Sequence, residues 1–581
     1  MVKATNNTIV PLVILVNAIL GGIGSAQTHV FEVVEKTFTA ENTYHNPYID
    51  VDLWVNLNGP NGKKHLVPAF WDGGQTFRVR LVATMPGAWN WSTGTTTGDS
   101  GLDRQRGSFD AIAWTDSEKE ANPNRRGFIR ATASGHHAEY ADGTPFLMAA
   151  DTVWSGLTKI FKSGSDEGIA QISFQNYLDA RKAQGYNAFN MIACYPTDTT
   201  APIWHAAVRG QKVSDRGHTP FVMDGVNADL TRIVPEYWQE ADPKMKYMAD
   251  NGFVPFLETV RRSESWPKLG QEQKDAFYNY VRYLWARYGC YNMVFSWVHM
   301  DADGNGEYDL WLPVVKHAYD ELKRKNGTGS MPYGTPRTAM AAGTSLDSWS
   351  KDARYLLDFH NISNSGARSP ASFAWMRALY ADTPHLPAQN VEGFYPGWNR
   401  CSAPFTPSMT LGQSAIYGAY GNVLNGAFAG YSWGDLYFSG AANGDDPNIP
   451  NGTPQKFALS SYDSFAFGYM PKFFLDAGHD FSKLSPDTNK NLGRVSPLIT
   501  LAIATDQSYA LGFICPGVDT TTLKNLTPST DYRFEWWQTT TGTWQAATVI
   551  TTDVNGSVAM PSRPDSTLNW AFRIQQSNEN P

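Results

Sequence analysis

Hydrophobic and polar positions divide the chain into three stretches of different periodicity. From residue 28 to about 120, short runs alternate between apolar and polar side chains, for example at 51–57 and 77–83. Turn segments rich in Gly, Asn and Pro, such as 58–62, separate these runs. A period of two with such turns predicts an antiparallel β-sandwich over residues 28–120, with Trp89 in its core.

Between residues 127 and 490 the pattern changes to apolar strands that alternate with amphipathic helices. Residues 173–185 have a helical period that ends at Gly185, and 271–288 and 309–325 are further helix candidates. Strands that alternate with helices in this way predict a (β/α)8 barrel. The eight predicted strands are 145–150, 186–193, 253–257, 293–298, 338–342, 355–357, 386–391 and 427–433.

After residue 495 the short-period alternation returns, at 509–514, 532–537 and 569–574. This pattern predicts a second β-sandwich over residues 495–581. The predicted fold class is therefore a multidomain chain. A central (β/α)8 TIM barrel, residues 127–490, is flanked by N-terminal and C-terminal antiparallel β-sandwich domains.

The first 26 residues predict a signal peptide. Lys3 carries the only positive charge, residues 9–20 are almost continuously apolar, and small residues precede a cleavage position after Ala26. The apolar run is shorter than the roughly 20 residues that a membrane span needs. We expect cleavage and a secreted, periplasmic or cell-surface protein, without a membrane span.

Composition excludes several classes of function. The net charge of −8 and the lack of a basic run argue against a nucleic-acid partner, because phosphate binding needs clustered Lys and Arg. The cysteines at 194, 290, 401 and 515 are far apart and lack zinc-ligand spacing, so mostly free, buried thiols are expected. No G-x-S-x-G segment supports an esterase. The aromatic share of 13% suits sugar-stacking surfaces as well as a core.

Acidic and aromatic side chains follow several predicted strands. In a (β/α)8 barrel the carboxyl ends of the strands carry the chemistry. Glu392 follows such a strand, and aromatic residues come directly after it. Hydrolysis of a glycosidic bond needs two carboxylates, and Asp301, Asp303 and Glu258 also follow predicted strands. Further residues at strand ends or in adjacent loops are expected to line sugar subsites: His299, His360, Trp398, Trp433 and Asp435.

Four segments of the predicted barrel resemble the apiosidase-like family of glycoside hydrolases: 146–154, 177–187, 390–395 and 430–434. The segments around 71–89 resemble the small sandwich that precedes the barrel in such enzymes. The C-terminal sandwich is similar to the domain that is often named as collagen-binding in them.

The resemblance implies an Asp after strand four and a Glu after strand seven, which we match to Asp301 and Glu392. It also implies that Asp151 and Trp154 line the innermost sugar subsite. The chain departs from the family pattern where glycines are missing before the strand-four Asp. Asp303 and Glu258 therefore remain alternative acids, and Asp303 is otherwise expected to contact substrate. The segment 361–366 also departs from the family pattern, which leaves the sugar open.

Residues 301–309 match the first half of an EF-hand calcium loop. The twelfth position is Leu312 rather than Glu, and a strand precedes the segment, which argues against a true EF-hand. A calcium site of another kind remains an alternative, in which Asp301 would be a ligand. Glycoside hydrolysis itself requires no metal and no other cofactor.

The sequence thus predicts a secreted glycoside hydrolase that removes a terminal or side-chain sugar from a complex polysaccharide. Asp301 would be the acid and base, and Glu392 the nucleophile or base. One alternative is an endo-acting glycanase of the same barrel class. Another is a non-catalytic carbohydrate-binding or adhesion protein, in which the barrel is degenerate. In each case the expected partner is a polysaccharide or oligosaccharide.

Overall fold

The computed structural model describes residues 26–165, 172–196, 213–225, 227–262, 271–300, 306–363, 372–393, 405–434, 464–487 and 498–577. Within these ranges, no helix combines the length and the apolar character that a membrane crossing requires. The predicted signal peptide lies almost wholly outside the described residues.

The N-terminal unit consists of two small sheets. One has five strands in the order β1–β8–β7–β3–β4, and the other has three in the order β2–β6–β5. Apart from the parallel pair β1 and β8, neighbouring strands are antiparallel. Trp89 is fully buried and confirms the predicted core position. The elements are β1 (Ala26–His29), β2 (Val33–Thr39), α1 (Pro47–Asp50), β3 (Leu53–Asn58), β4 (Lys64–Pro68), β5 (Phe70–Trp71), β6 (Thr76–Val82), β7 (Gly87–Thr95), β8 (Arg106–Ile112) and α2 (Asp116–Ala121).

The central unit alternates strands with helices along the chain. Its strands are β9 (Arg130–Ala131), β10 (Ala138–Glu139), β11 (Pro145–Phe146), β12 (Met148–Thr152), β13 (Ala188–Ile192), β14 (Phe221–Asp224), β15 (Asn227–Ile233), β16 (Val254–Glu258), β17 (Val294–Ser296), β18 (Arg337–Thr338), β19 (Gly343–Thr344), β20 (His360–Ser363), β21 (Ala388–Asn390) and β22 (Gly430–Trp433). Its helices are α3 (Phe174–Gln184), α4 (Pro235–Asp250), α5 (Gln271–Tyr288), α6 (Glu307–Asn326), α7 (Trp349–Ala353), α8 (Ser372–Ala381), α9 (Leu411–Leu424), α10 (Ser464–Gly468) and α11 (Met470–Phe474).

Nine of these strands form one sheet in the order β18–β17–β16–β13–β12–β22–β21–β20–β19. Every neighbouring pair is parallel except β19 and β20. The end strand β18 also meets the segment that precedes β20, the last parallel strand at the opposite end. Asp358 N donates to Arg337 O at 2.7 Å, and Thr338 Oγ1 donates to Phe359 O at 2.8 Å. The segments that carry β18 and β20 therefore lie side by side.

One face of this sheet, called here the inner face, carries a single apolar cluster. Its members include Met148, Ala150, Ala188, Val254, Phe256, Val294, Met340, Phe359 and Val391. The adjacent positions Ala149, Phe189 and Tyr431 belong to other clusters, which include residues of the helices. Since strands from all parts of the sheet contribute to one cluster, the sheet curves around it.

Helix ends follow the signals in the sequence. Ser173 caps α3 by accepting a hydrogen bond from Asn176 N at 3.2 Å, and Gly185 ends it in a left-handed conformation, with φ of 99°. A Cβ at Gly185 would come within 2.4 Å of Gly468 O, so this position requires glycine on both counts. The predicted helix 271–288 agrees with α5.

Three strand predictions are wrong. The predicted strand 338–342 falls almost wholly between β18, which ends at Thr338, and β19, which begins at Gly343. Residues 354–356 form a 3-10 turn, and the strand begins at His360 instead. The first barrel strand was predicted to end at residue 150, but β12 continues to Thr152. Short apolar runs do not fix their own ends, because hydrogen bonding to neighbouring strands decides them.

The C-terminal unit is a sheet in the order β23–β24–β25–β31–β27–β28, with β29 also paired to β27, and a separate pair β26–β30. It packs on α9, where Trp537 Nε1 lies 3.3 Å from Tyr420 Oη. Its strands are β23 (Leu484–Pro486), β24 (Ile499–Ala504), β25 (Tyr509–Ile514), β26 (Thr522–Leu523), β27 (Asp531–Gln538), β28 (Thr543–Trp544), β29 (Thr548–Thr551), β30 (Val558–Ala559) and β31 (Trp570–Gln576).

A buried charge network joins the N-terminal unit to the central unit. Asp242 on α4 accepts hydrogen bonds from Arg287 Nε and Nη2, at 2.8 and 2.7 Å, and from Arg80 Nη2 at 2.5 Å. Arg287 Nη1 also donates to Asp72 at 3.0 Å, and Arg80 Nε donates to Glu35 at 3.0 Å. Burial raises the pKa of Asp242, but the two guanidinium groups outweigh it and hold that pKa below its ordinary value.

The described cysteines are buried. Cys290 and Cys515 are free thiols, and Cys194 Sγ lies 3.1 Å from Tyr280 Oη. Burial raises the pKa of Cys290 to about 12, which keeps this thiol protonated at neutral pH. Free, buried thiols are thus confirmed for Cys290 and Cys515, while Cys401 lies outside the described residues.

His137 is buried where the central and C-terminal units meet. Its ring stacks on Phe428 with centroids 4.4 Å apart and meets Phe481 edge-on at 5.0 Å. Burial, together with the neighbouring His136, lowers the pKa of His137 to about 3. The folded chain therefore keeps this imidazole neutral far below its ordinary pKa.

Acidification is expected to destabilise the chain through His137. The unfolded chain binds a proton there below about pH 6.5, whereas the folded chain does not until about pH 3. The free energy of unfolding should therefore fall by about 1.4 kcal/mol for each pH unit below 6.5. Thermal midpoints between about pH 7 and 5 should decline less steeply in His137→Phe than in the wild type. The exposed His45→Phe is the control, and equal slopes in all three proteins would contradict the prediction.

Candidate active site

Glu392 lies two residues beyond the last residue of β21, at the carboxyl end of the central sheet, and is 1% exposed. The preceding Val391 belongs to the inner apolar cluster. Glu392 N donates to Asn390 Oδ1 at 3.2 Å, so a side chain of the same strand holds the backbone at this turn. A Cβ at Gly393 would come within 2.0 Å of Tyr431 Oη, which leaves room only for glycine.

A second carboxylate, Glu258, ends β16 on the same edge of the sheet. Its Oε1 lies 2.7 Å from His299 Nδ1, and both side chains are fully buried. Ser296 Oγ donates to Glu258 Oε2 at 3.4 Å. The ring of Trp154, which follows β12, meets His299 edge-on with centroids 5.2 Å apart. The structure thus brings together Trp154, Glu258 and His299 from the ends of three strands. Trp154 and His299 were predicted to line sugar subsites.

Asp151 occupies a different environment from the predicted one. It lies inside β12, opposite Phe189 and Trp433 in the register, and its carboxylate meets α3. Tyr177 Oη and Arg181 Nε both donate to Oδ2, the latter at 2.5 Å. Burial raises the pKa of Asp151, although Arg181 and Tyr177 act in the opposite direction. The prediction placed Asp151 after the strand, and the two additional residues of β12 turn this carboxylate toward the helix.

Trp433 ends β22 but lies away from the inner face, in the cluster that packs against the helices. His360 lies away from the edge that carries Glu392 and Glu258. Trp433 is 1% exposed and packs on Phe467 of α10, with ring centroids 5.3 Å apart. His360 begins β20 and therefore lies at the amino end of its strand, where Nδ1 is 2.8 Å from Ser345 Oγ and Nε2 is 3.2 Å from Asp382. The chemistry of such folds belongs to the carboxyl ends. The expectation that His360 follows a strand is wrong, and we leave both residues out of the proposed site.

Four predicted site residues fall in segments that the structure does not describe. Asp301, Asp303, Trp398 and Asp435 lie outside the described residues. Helix α6 already begins at Glu307, so a twelve-residue EF-hand loop from 301 to 312 does not fit. Within the described ranges, no group of three His, Cys, Asp or Glu side chains could hold a metal ion.

Sequence reasoning missed Asn190. It is fully buried in the middle of β13, and its Nδ2 donates to Val391 O at 2.9 Å. A polar residue within the apolar run 186–193 was the available signal, because a buried amide must find partners.

Several solved structures share this architecture. A candidate glycoside hydrolase from Bacteroides vulgatus superposes with a TM-score of 0.66 at 15% identity, over 95% of this chain and 100% of that one. A glycoside hydrolase family 5 protein from the same organism gives 0.59 at 16% identity, over 79% and 95%. At such identities the likeness shows the fold alone, and this fold is one that glycoside hydrolases use. No curated protein sequence matches the chain.

The family follows from the sequence match. The model of the apiosidase-like catalytic domain matches residues 132–442, more than half of the 581-residue chain. The chain therefore belongs to the apiosidase-like family and is a glycoside hydrolase. A domain of unknown function (DUF5060) matches residues 27–96, within the N-terminal unit.

Proposed function

We propose that this enzyme is exported and removes a terminal or side-chain sugar from a complex polysaccharide, with Glu392 as nucleophile or base. The observation that carries the proposal is the buried carboxylate of Glu392 at the carboxyl end of β21, directly after the inner-face residue Val391. Two carboxylates that flank the scissile bond are what this hydrolysis requires.

The proposed architecture is a closed (β/α)8 barrel, residues 127–490, between sandwiches 28–120 and 495–581. Eight parallel strands in chain order and the hydrogen bonds between the segments of β18 and β20 support closure. The proposed export would be accompanied by cleavage after Ala26. Mass spectrometry of the mature protein tests it, since an amino terminus other than Gln27 would contradict this cleavage position.

Asp301 is the proposed acid, and Asp303 and Glu258 are its rivals. The described chain reaches Met300, which follows the buried His299 and directly precedes Asp301. Glu258 holds the Nδ1 of that histidine at 2.7 Å. This contact suits a carboxylate that orients the imidazole better than one that delivers a proton to a leaving oxygen. Trp154 and His299 are the proposed subsite residues.

The test is product release from plant, algal and microbial polysaccharides. An exo-acting enzyme should release one monosaccharide, and an endo-acting one should release a ladder of oligosaccharides. Binding without any release would favour the adhesion alternative. Asp301→Asn should lose activity on the glycan but retain kcat/KM on the 2,4-dinitrophenyl glycoside of the released sugar, because departure of a good leaving group needs no acid. If Glu258→Gln shows this split and Asp301→Asn does not, Glu258 is the acid.

A further inference from the structure

Asn190 makes a hydrogen bond that does not belong to the strand ladder. In the register it lies opposite Thr152 of β12 and Phe256 of β16, and its Nδ2 donates to Val391 O at 2.9 Å. Two strands, β12 and β22, separate β13 from β21 in the sheet. The carboxamide therefore reaches across the interior of the curved sheet and not to a neighbouring strand.

The residue that receives this bond directly precedes Glu392. From the same strand, Asn390 Oδ1 accepts the hydrogen bond of Glu392 N. On the far side, Gly393 abuts the hydroxyl of Tyr431 so closely that a Cβ would lie 2.0 Å from it. The turn that presents Glu392 is thus contacted by β22, is bonded to β20 where Val391 N donates to Ile362 O at 3.1 Å, and is bonded to Asn190 from across the sheet interior.

Asn187, which directly precedes β13, serves as an example of an asparagine with a purely structural role. Its Oδ1 accepts from Ala149 N at 2.7 Å, and its Nδ2 donates to Leu147 O at 2.9 Å, so both ends of the carboxamide bond the adjacent segment. Asn190 Oδ1, by contrast, is buried without a hydrogen-bond partner among the described residues. Leaving a buried acceptor in this state costs stability.

We propose that Asn190 is a positioning residue that sets the orientation of the Glu392 carboxylate. The inference rests on the proposed function, because it assigns Asn190 a role only through Glu392. Its physical basis is the steep dependence of rate on geometry, since a displacement of about 1 Å can cost about 100-fold. Without the Nδ2 donor, Val391 O loses its hydrogen bond from across the sheet interior. Val391 N still donates to Ile362 O of β20 at 3.1 Å, so the neighbouring strands hold the turn, but Asn190 no longer holds Val391 O from across the interior.

The experiment compares Asn190→Ala, Asn190→Asp and Asn187→Ala with the wild type, and uses Glu392→Gln as reference. Activity is measured on the 4-nitrophenyl glycoside of the sugar that the polysaccharide panel identifies. A second readout needs no substrate. In protein labelled with carboxyl-13C glutamate, the resonance of Glu392 is assigned by its absence from Glu392→Gln and is followed as a function of pH.

Asn190→Ala should lower kcat by about 30- to 100-fold with KM changed less than threefold, and should shift the Glu392 resonance. Asn187→Ala should lower the thermal midpoint but leave kcat and that resonance unchanged. Asn190→Asp, which places a second carboxylate near Val391, should move the titration of Glu392 to higher pH.

The inference is overturned if Asn190→Ala retains wild-type kcat, or if Asn187→Ala loses kcat to the same extent. It is also overturned if both Asn190 variants leave the Glu392 resonance and its titration unchanged. Failure of the proposed function has a different signature, because Glu392→Gln would then remain active whatever the Asn190 variants do.

Discussion

Replacing Glu392 by glutamine is expected to lower kcat by about 10³-fold while leaving the thermal midpoint nearly unchanged. Glutamine has the shape of glutamate and retains the backbone bond from Glu392 N to Asn390 Oδ1 at 3.2 Å. What it loses is the negative charge that attacks the anomeric carbon or activates water. The loss should therefore fall on kcat, measured on the substrate that the polysaccharide panel identifies.

Glu321→Gln is the matched control, since Glu321 lies on α6 and pairs with the exposed Arg324. It should keep the wild-type rate. Added azide offers a further distinction, because this small nucleophile can replace a missing carboxylate and yield a glycosyl azide. If Glu392→Gln hydrolyses the substrate at the wild-type rate, Glu392 has no catalytic role and the carboxylate pair must be sought elsewhere.

Asp242→Asn is expected to lower the free energy of unfolding by about 3–5 kcal/mol, the largest stability effect that we anticipate. Asp242 accepts three bonds of 2.8 Å or less from Arg287 and Arg80, and Arg287 is fully buried. Asparagine removes the carboxylate that both guanidinium groups share, leaves only Asp72 beside Arg287 and Glu35 beside Arg80, and turns an amide N–H toward one of the guanidinium groups. The guanidinium groups cannot respond by losing a proton, because arginine keeps its charge in proteins.

Asp250→Asn is the matched control on the same helix, where Asp250 pairs with Lys246 at 2.6 Å in exposed surroundings. An exposed pair of this kind contributes about 0–1 kcal/mol. Urea unfolding followed by tryptophan fluorescence should show a large decrease in midpoint for Asp242→Asn and a small one for Asp250→Asn. Equal midpoints would show that the network contributes little to folding.

The sequence predicted the elements whose signals are local. Ser173 and Gly185 mark the two ends of α3 because capping depends only on nearby residues. The end of β12 was misplaced because the polar Asp151 was taken as the end of a buried run. Its carboxylate is buried with Arg181 and Tyr177, which are one helical turn apart on α3. Their i, i+4 spacing placed them on one helix face, but which strand that face meets is a property of the tertiary fold.

The candidate site shows the same limit. The position of Glu392 at a strand end could be predicted, because an apolar run followed by a single acid and aromatic residues is a local pattern. The pairing of Glu258 with His299 could not, since these residues are 41 positions apart and meet only when β16 and β17 align. Asn190 and Val391 are 201 positions apart, and their contact depends on the curvature of the whole sheet.

The charge network between the N-terminal and central units has a consequence for protein engineering. Glu35, Asp72 and Arg80 come from one side of the junction near residue 120, and Asp242 and Arg287 from the other. A chimera that joins this sandwich to the barrel of a relative would bring together charged side chains from two proteins whose ion pairs do not correspond. Exchange of loops at the carboxyl edge of the central sheet leaves the set intact. In recombination between relatives, the N-terminal and central units should therefore be taken from the same parent protein.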